Sequence, residues 1–184
     1  MKKITFFLTS AIMVGGFVKM AVADSYHYSP YVGADYVYSR TNAKGFEPYH
    51  NAAVVRIGSD YSKYFGTEVF FGQSESNKRR PNGENIKTSY RAYGLDLIAY
   101  LPLGCEKNFS LLATTGIGEY VYNTKSVPAK HYNEHGYGYR FGGGFKYIFN
   151  KNWQTRFVVR HVNFDHLTGY DHNMEYSAGV EYHF

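Results

Sequence analysis

From Tyr176 to the final residue, apolar side chains occupy every second position: Tyr176, Ala178, Val180, Tyr182 and Phe184. Glu175, Ser177, Gly179, Glu181 and His183 fill the places between them. A helix would scatter these two sets around its circumference, whereas a β-strand sorts them onto opposite faces. The chain therefore closes on a strand with one greasy and one polar face, and a strand must find partners for both of its edges.

The same alternation recurs in seven earlier segments. The predicted strands are 29–39, 52–61, 65–74, 89–101, 109–122, 137–149, 153–164 and 174–184. Long connections, 40–51, 75–88, 123–136 and 165–173, follow the odd-numbered strands. Short ones, Ser62-Lys63-Tyr64, Pro102 to Asn108 and Asn150-Lys151-Asn152, follow the even-numbered ones. Such alternation is the layout of an eight-stranded, antiparallel, up-and-down transmembrane β-barrel, with long loops outside and short turns and both termini in the periplasm.

The faces can be phased along each strand. Val32, Ala34, Tyr36 and Tyr38 oppose Gly33 and Asp35. Ala53, Val55 and Ile57 oppose Arg56, Gly58 and Asp60, and Phe65, Thr67, Val69 and Phe71 oppose Gly66, Glu68 and Gly72. Tyr93, Leu95, Leu97, Ala99 and Leu101 oppose Gly94 and Asp96, and Leu111, Ala113, Thr115 and Ile117 oppose Leu112, Thr114, Gly116 and Gly118. Phe141, Gly143, Phe145, Tyr147 and Phe149 oppose Arg140, Gly142, Gly144 and Lys146, and Trp153, Thr155, Phe157 and Val159 oppose Arg156, Val158 and Arg160. The polar face thus gathers Arg56, Arg140, Lys146, Arg156 and Arg160 with Asp35, Asp60, Glu68, Asp96, Glu175 and Glu181. An eight-stranded barrel encloses only enough space for side chains, so these groups are expected to pair as a plugged lumen charge network without a wide pore.

Composition agrees with strands that cross lipid. Aromatic residues make up 19% of the chain, with 20 Tyr and 14 Phe, and barrels carry aromatic girdles at both interfaces. Apolar runs such as Leu97 to Leu101 are far below the ~20 residues of a spanning helix. The N-terminus reads as a cleavable signal peptide. Lys2 and Lys3 precede an apolar run from Ile4 to Val18, and Ala21-Val22-Ala23 precedes Asp24. Domains are expected at 1–23 (signal) and 24–184 (barrel). The net charge of +5 includes Lys2, Lys3 and Lys19, so the remaining segment carries only +2, too little to indicate nucleic acid as a partner. The single Cys105 has no intrachain disulfide partner.

The stretches Tyr31-Val32-Gly33-Ala34-Asp35-Tyr36, Phe65-Gly66-Thr67-Glu68-Val69, Gly142-Gly143-Gly144-Phe145-Lys146-Tyr147 and Gly179-Val180-Glu181-Tyr182-His183-Phe184 resemble the opacity-protein/OmpA-like outer-membrane barrels. That resemblance implies residence in the bacterial outer membrane and surface roles such as adhesion, envelope integrity or small-solute passage. It also implies that Tyr176, Ala178, Val180, Tyr182 and Phe184 form the signal read by the outer-membrane assembly machinery. OmpA proper carries a peptidoglycan-binding domain after the barrel, and no such activity is expected of this segment.

Few residues suggest chemistry. Lipid A deacylases are eight-stranded barrels with a His-x-Ser pair on a late strand and a later Glu. Here Arg160-His161-Val162-Asn163 and Glu175 lie in similar places, but Asn163 offers no hydroxyl or thiol to attack an ester. His131, His135, Asp165, His166, Asp171 and His172 fall in predicted loops without spacing that fixes a metal, so neither a metal nor a cofactor is expected. Lys78-Arg79-Arg80 forms a basic loop tip suited to lipopolysaccharide phosphates or acidic host surface molecules. Tyr120, Tyr122, Tyr132, Tyr137 and Tyr139 are assigned to the outer girdle. The sequence thus points to a non-enzymatic outer-membrane barrel with an envelope-structural or adhesive role among membrane lipids and lipopolysaccharide. A narrow channel is the alternative, and a lipid A-modifying enzyme comes third.

Overall fold

A computed structural model describes residues 28–43, 48–79, 86–104, 108–126, 130–165, 167 and 169–184. The expected signal and its cut at Ala21, Ala23 and Asp24 lie outside these residues, as do Arg80, Cys105 and His166. For Lys78, Arg79, Lys125, His131 and Tyr132 only the backbone is described.

Nine strands form one antiparallel sheet: β1 (Ser29–Ala43), β2 (Tyr49–Ser62), β3 (Phe65–Ser74), β4 (Asn77–Arg79), β5 (Ile86–Leu103), β6 (Phe109–Ser126), β7 (Lys130–Ile148), β8 (Trp153–Asp165) and β9 (Tyr170–His183). Each strand pairs with its sequence neighbour, except that β3 and β4 both pair with β5. The two therefore act as one stave interrupted at Glu75-Ser76, and the barrel has eight staves. β1 pairs with β9 from Tyr31↔His183 to Ala43↔Tyr170, which closes the ring. Closure gives the staves partners on both edges along the wall, the condition for strands to lie in lipid; among the described residues the short β4, at the hairpin end, is paired on one side, with β5. No helix among the described residues is long and apolar enough to cross a membrane.

The period-2 pattern dictates which side of the wall each residue takes. Val32, Tyr36, Val55, Ile57, Val69, Phe71, Leu97, Leu111, Phe141, Phe145, Tyr176 and Val180 are exposed on the outside. Asp35, Arg56, Glu68, Asp96, Arg140, Arg156, Glu175 and Glu181 are buried inside. Aromatic rings gather at the two ends of the outer wall. Trp153, Tyr182, Phe184, Tyr147 and Phe149 cluster toward the termini, with Trp153 and Tyr182 centroids 5.1 Å apart. Tyr38, Tyr49 and Tyr176 form a second group toward the opposite end, with centroids 6.3 Å apart.

Strand runs into each of the long connections predicted from sequence. β6 and β7 stay paired up to Ser126↔Lys130, across most of the expected loop 123–136. Likewise β4 continues the ladder to Arg79↔Ile86, and β9 begins at Tyr170. Above the lipid both faces of a hairpin meet water, so the apolar–polar alternation that marks a strand disappears while the backbone ladder persists.

Candidate functional site

The interior is filled in three layers, which follow the order of inward residues along each strand. On β5 these are Tyr90, Ala92, Gly94, Asp96, Ile98 and Tyr100, from the hairpin end to the terminal end. The first layer is aromatic, the second ionic, and the third mixes Ile98, Tyr100, Leu112 and Val158 with a smaller ion cluster.

In the ionic layer two arginines share two carboxylates. Arg56 reaches Asp35 at 2.7 Å, Glu68 at 3.2 Å and Glu181 at 3.0 Å. Arg156 grips Glu68 with both terminal nitrogens, at 2.9 and 2.8 Å, and touches Asp35 at 3.2 Å. Tyr31 donates its hydroxyl to Glu68 at 2.8 Å. Asp96 is held more loosely, by Arg140 at 3.2 Å and Arg160 at 3.6 Å. Arg140 also reaches Glu175 at 3.5 Å, and its guanidinium lies 3.9 Å from the centre of the Phe70 ring. Toward the termini, Lys146 pairs with Asp60 at 3.0 Å and lies 3.9 Å from the Tyr100 ring, whose hydroxyl donates to Asp60 at 2.9 Å. Each charge placed on the inner face by phase therefore has an opposite partner within 4 Å. Five cations face six carboxylates, and the buried His183 lies 3.3 Å from Glu181 on the side of the excess carboxylate. A cavity of about 10 Å³ remains among Asp35, Arg56, Glu68, Arg140 and Arg156.

The aromatic layer departs from the expectation. Tyr120 and Tyr122, assigned to the outer girdle, are fully buried in the lumen. The reason is the strand's own phase: they continue the inward row Leu112, Thr114, Gly116 and Gly118 of β6. Tyr122 stacks on Tyr170 at 4.4 Å and meets Phe164 edge-on at 5.8 Å. Leu167, in the β8–β9 connection, packs into the same cluster. Tyr120 donates to Glu175 at 3.1 Å and so joins this plug to the ionic layer. Tyr137 and Tyr139 do face outward.

The deacylase-like residues are kept apart by the barrel wall. His161 is on the outer face, bonded to Asn163 at 2.8 Å, whereas Glu175 is inside with Tyr120 and Arg140. Among the described residues no group of three or more His, Cys, Asp or Glu side chains is placed to hold a metal ion. His135 instead pairs with Glu119 at 3.3 Å, and Tyr93 donates to the same carboxylate at 2.5 Å. Tyr176, Ala178, Val180 and Tyr182 form one outward row on β9, and Phe184, just past its end, is exposed in the same phase.

The fold matches known membrane barrels. Neisserial surface protein A superposes with a TM-score of 0.71 at 13% identity, covering 84% of this chain and 97% of that one. Ail, the attachment invasion locus protein of Yersinia pestis, solved with the heparin analogue sucrose octasulfate, gives 0.62 at 12% identity, covering 85% and 99%. The N-terminal β-barrel domain of OprF from Pseudomonas aeruginosa gives 0.61 at 13% identity, covering 86% and 100%. No curated protein sequence matches. The sequence model of the outer membrane protein beta-barrel domain matches residues 9–184, nearly the whole chain. With a closed ring of staves, a greasy outer wall and that match, the chain belongs to the outer-membrane β-barrel family and is an integral protein of the bacterial outer membrane.

Proposed function

We propose that this protein works at its surface, as a non-conducting and non-enzymatic barrel whose hairpin ends make envelope-structural or adhesive contacts. The observation that carries this reading is the filled lumen. The cavity of about 10 Å³ between Arg56, Glu68 and Arg140 has room for about one water, while conduction requires a continuous file of them. The separation of His161 from Glu175 by the barrel wall likewise argues against an acyl-ester hydrolase.

The surface itself suggests a polyanionic partner. Strand register sets Lys78 opposite Lys87, Lys87 opposite Lys125, and Lys125 opposite His131. Exposed Lys87 and Arg91 share the outward phase of β5 with Tyr93, just beyond the girdle. They suit the phosphates of surrounding lipopolysaccharide or a sulfated host glycan, the class of partner that the basic run Lys78-Arg79-Arg80 favours in the sequence. The sucrose octasulfate bound to Ail belongs to the same charge class.

Planar-bilayer recording of the folded protein tests the reading. A silent bilayer is expected, and steady openings would promote the narrow channel in its place. Lipid A mass spectra from cells with and without the protein are expected to be identical, and a changed acyl count would restore the enzyme. Retention on a heparin column is expected to fall in the K87E/R91E variant.

A further inference from the structure

We propose that His161, His172 and Met174 form a site for a soft monovalent cation, Cu(I) or its redox-inert analogue Ag(I), on the outer wall of the barrel. The residues lie on two rungs of the β8–β9 ladder that share the outer face, His161 with Met174 and Asn163 with His172, with the inward rung Val162 and Asn173 between them. All three are half-buried at the hairpin end of the lipid-facing wall. The two imidazoles stack with centroids 5.2 Å apart and planes 27° apart, and His161 Nδ1 lies 3.1 Å from the Met174 sulfur.

The contacts of His161 set its tautomer. Nε2 lies 2.8 Å from Asn163 Oδ1, an amide oxygen that only accepts, so the ring proton of neutral His161 is on Nε2. Nδ1 then turns a lone pair toward a thioether sulfur that has no proton to give. Two lone pairs meeting at this distance repel, and a cation seated between them converts the repulsion into two bonds. An imidazole whose far N–H is fixed by an oxygen acceptor is the arrangement that metal-ligating histidines adopt. His172 supplies the third donor, and neither of its nitrogens is bonded among the described residues. Sulfur and imidazole donors without a carboxylate favour Cu(I) over the hard cations Mg²⁺ and Ca²⁺, which take oxygen ligands. Phe141, with its centroid 5.2 Å from that of His161, shields one side from water.

The site is tested on the full chain carrying C105S, so that the thiol does not compete, folded in detergent and labelled with methyl-¹³C methionine. Met174 is the only methionine beyond Met20, and the resonance missing from the M174L spectrum identifies it. Titration with Ag(I) is expected to shift that resonance to saturation at one equivalent, whereas Mg²⁺ leaves it unmoved. Ag(I) affinity, read by competition with a chromophoric chelator, is expected to fall at least tenfold in M174L and in H172Q. Because all three side chains face outward, both variants are expected to fold, with unchanged heat-modifiability. H172Q carries the affinity test alone if M174L does not fold. A Met174 resonance that ignores Ag(I), or equal affinity in the variants, would overturn the proposal. A resonance that responds only to pH would replace it with an N–H···S hydrogen bond made by the other tautomer.

Discussion

Arg156 and Glu68 meet through two parallel hydrogen bonds of 2.9 and 2.8 Å although their strands, β8 and β3, lie on opposite sides of the ring. In the eight-stave ring these strands are four places apart, so the pair bridges the full width of the lumen. Arg56 on β2 and Asp35 on β1 complete the layer, so a single ionic cluster ties several walls together.

Removing Glu68 is expected to cost more than removing Arg156. Glu68 serves Arg56, Arg156 and Tyr31, whereas the partners of Arg156 keep Arg56 when Arg156 is lost. Breaking a buried pair by deleting one partner costs about 3–5 kcal/mol, and apolar replacement of both costs less. Urea titration in detergent, followed by the fluorescence of Trp153, the only tryptophan, is expected to rank Glu68→Ala below Arg156→Met. The double variant Glu68→Leu/Arg156→Met is expected to lie above the sum of the single losses.

Neighbouring glycines on β7 are expected to differ in their tolerance of alanine. At Gly144 a methyl group would meet the Val158 Cα at 2.8 Å and the backbone carbonyl of Phe157, neither of which can move aside cheaply. At Gly143, which points outward, the nearest atom is the Leu112 carbonyl oxygen at 3.3 Å. Gly144→Ala is therefore expected to lose about 1–3 kcal/mol, and Gly143→Ala little, in the same urea titration.

The aromatic plug separates packing from hydrogen bonding at Tyr120. Tyr120→Phe removes the bond donated to Glu175 and the longer one accepted from Arg140 at 3.5 Å, and is expected to cost about 1.5–3 kcal/mol, because both partners are charged. Tyr120→Ala also opens a cavity beside Phe164 and Tyr90 and is expected to cost about 3–5 kcal/mol.

Phe184 is 76% exposed, so most of its ring faces outward, and within the barrel it meets the Tyr182 ring and donates its N–H to the Pro30 carbonyl. Deleting it is expected to leave refolding in detergent unchanged while lowering the heat-modifiable fraction in the outer membrane of cells. That split would mark the outward row from Tyr176 to Phe184 as a signal for assembly; equal losses in both assays would make it merely structural.

The strand faces were legible because a wall between lipid and packed ions forces strict alternation. The chain writes this plainly in Ala53, Val55 and Ile57 against Arg56. The partners inside were not legible. Arg156 and Glu68 are 88 residues apart on strands that never pair, and no local spacing encodes a contact across a lumen. Tyr120 and Tyr122 misled for another reason: aromatic residues near a strand end suggest a girdle, yet their parity already placed them inside. The hairpin ladders beyond Tyr122 and Tyr137 were hidden because Asn, Lys and His occupy both of their faces. Leu167 gave no signal at all, since a lone apolar residue in a connection does not reveal that it folds back into the core.

Spin-label accessibility along β9 tests the central claim most directly. Single cysteines introduced from 175 to 183 in a C105S background are reconstituted in lipid and probed with oxygen and a water-soluble nickel complex. Oxygen access is expected to peak at 176, 178, 180 and 182 and to fall at 175, 177, 179, 181 and 183. A reversed phase, or a flat profile with nickel reaching both sets, would contradict a closed barrel with lipid outside and ions within.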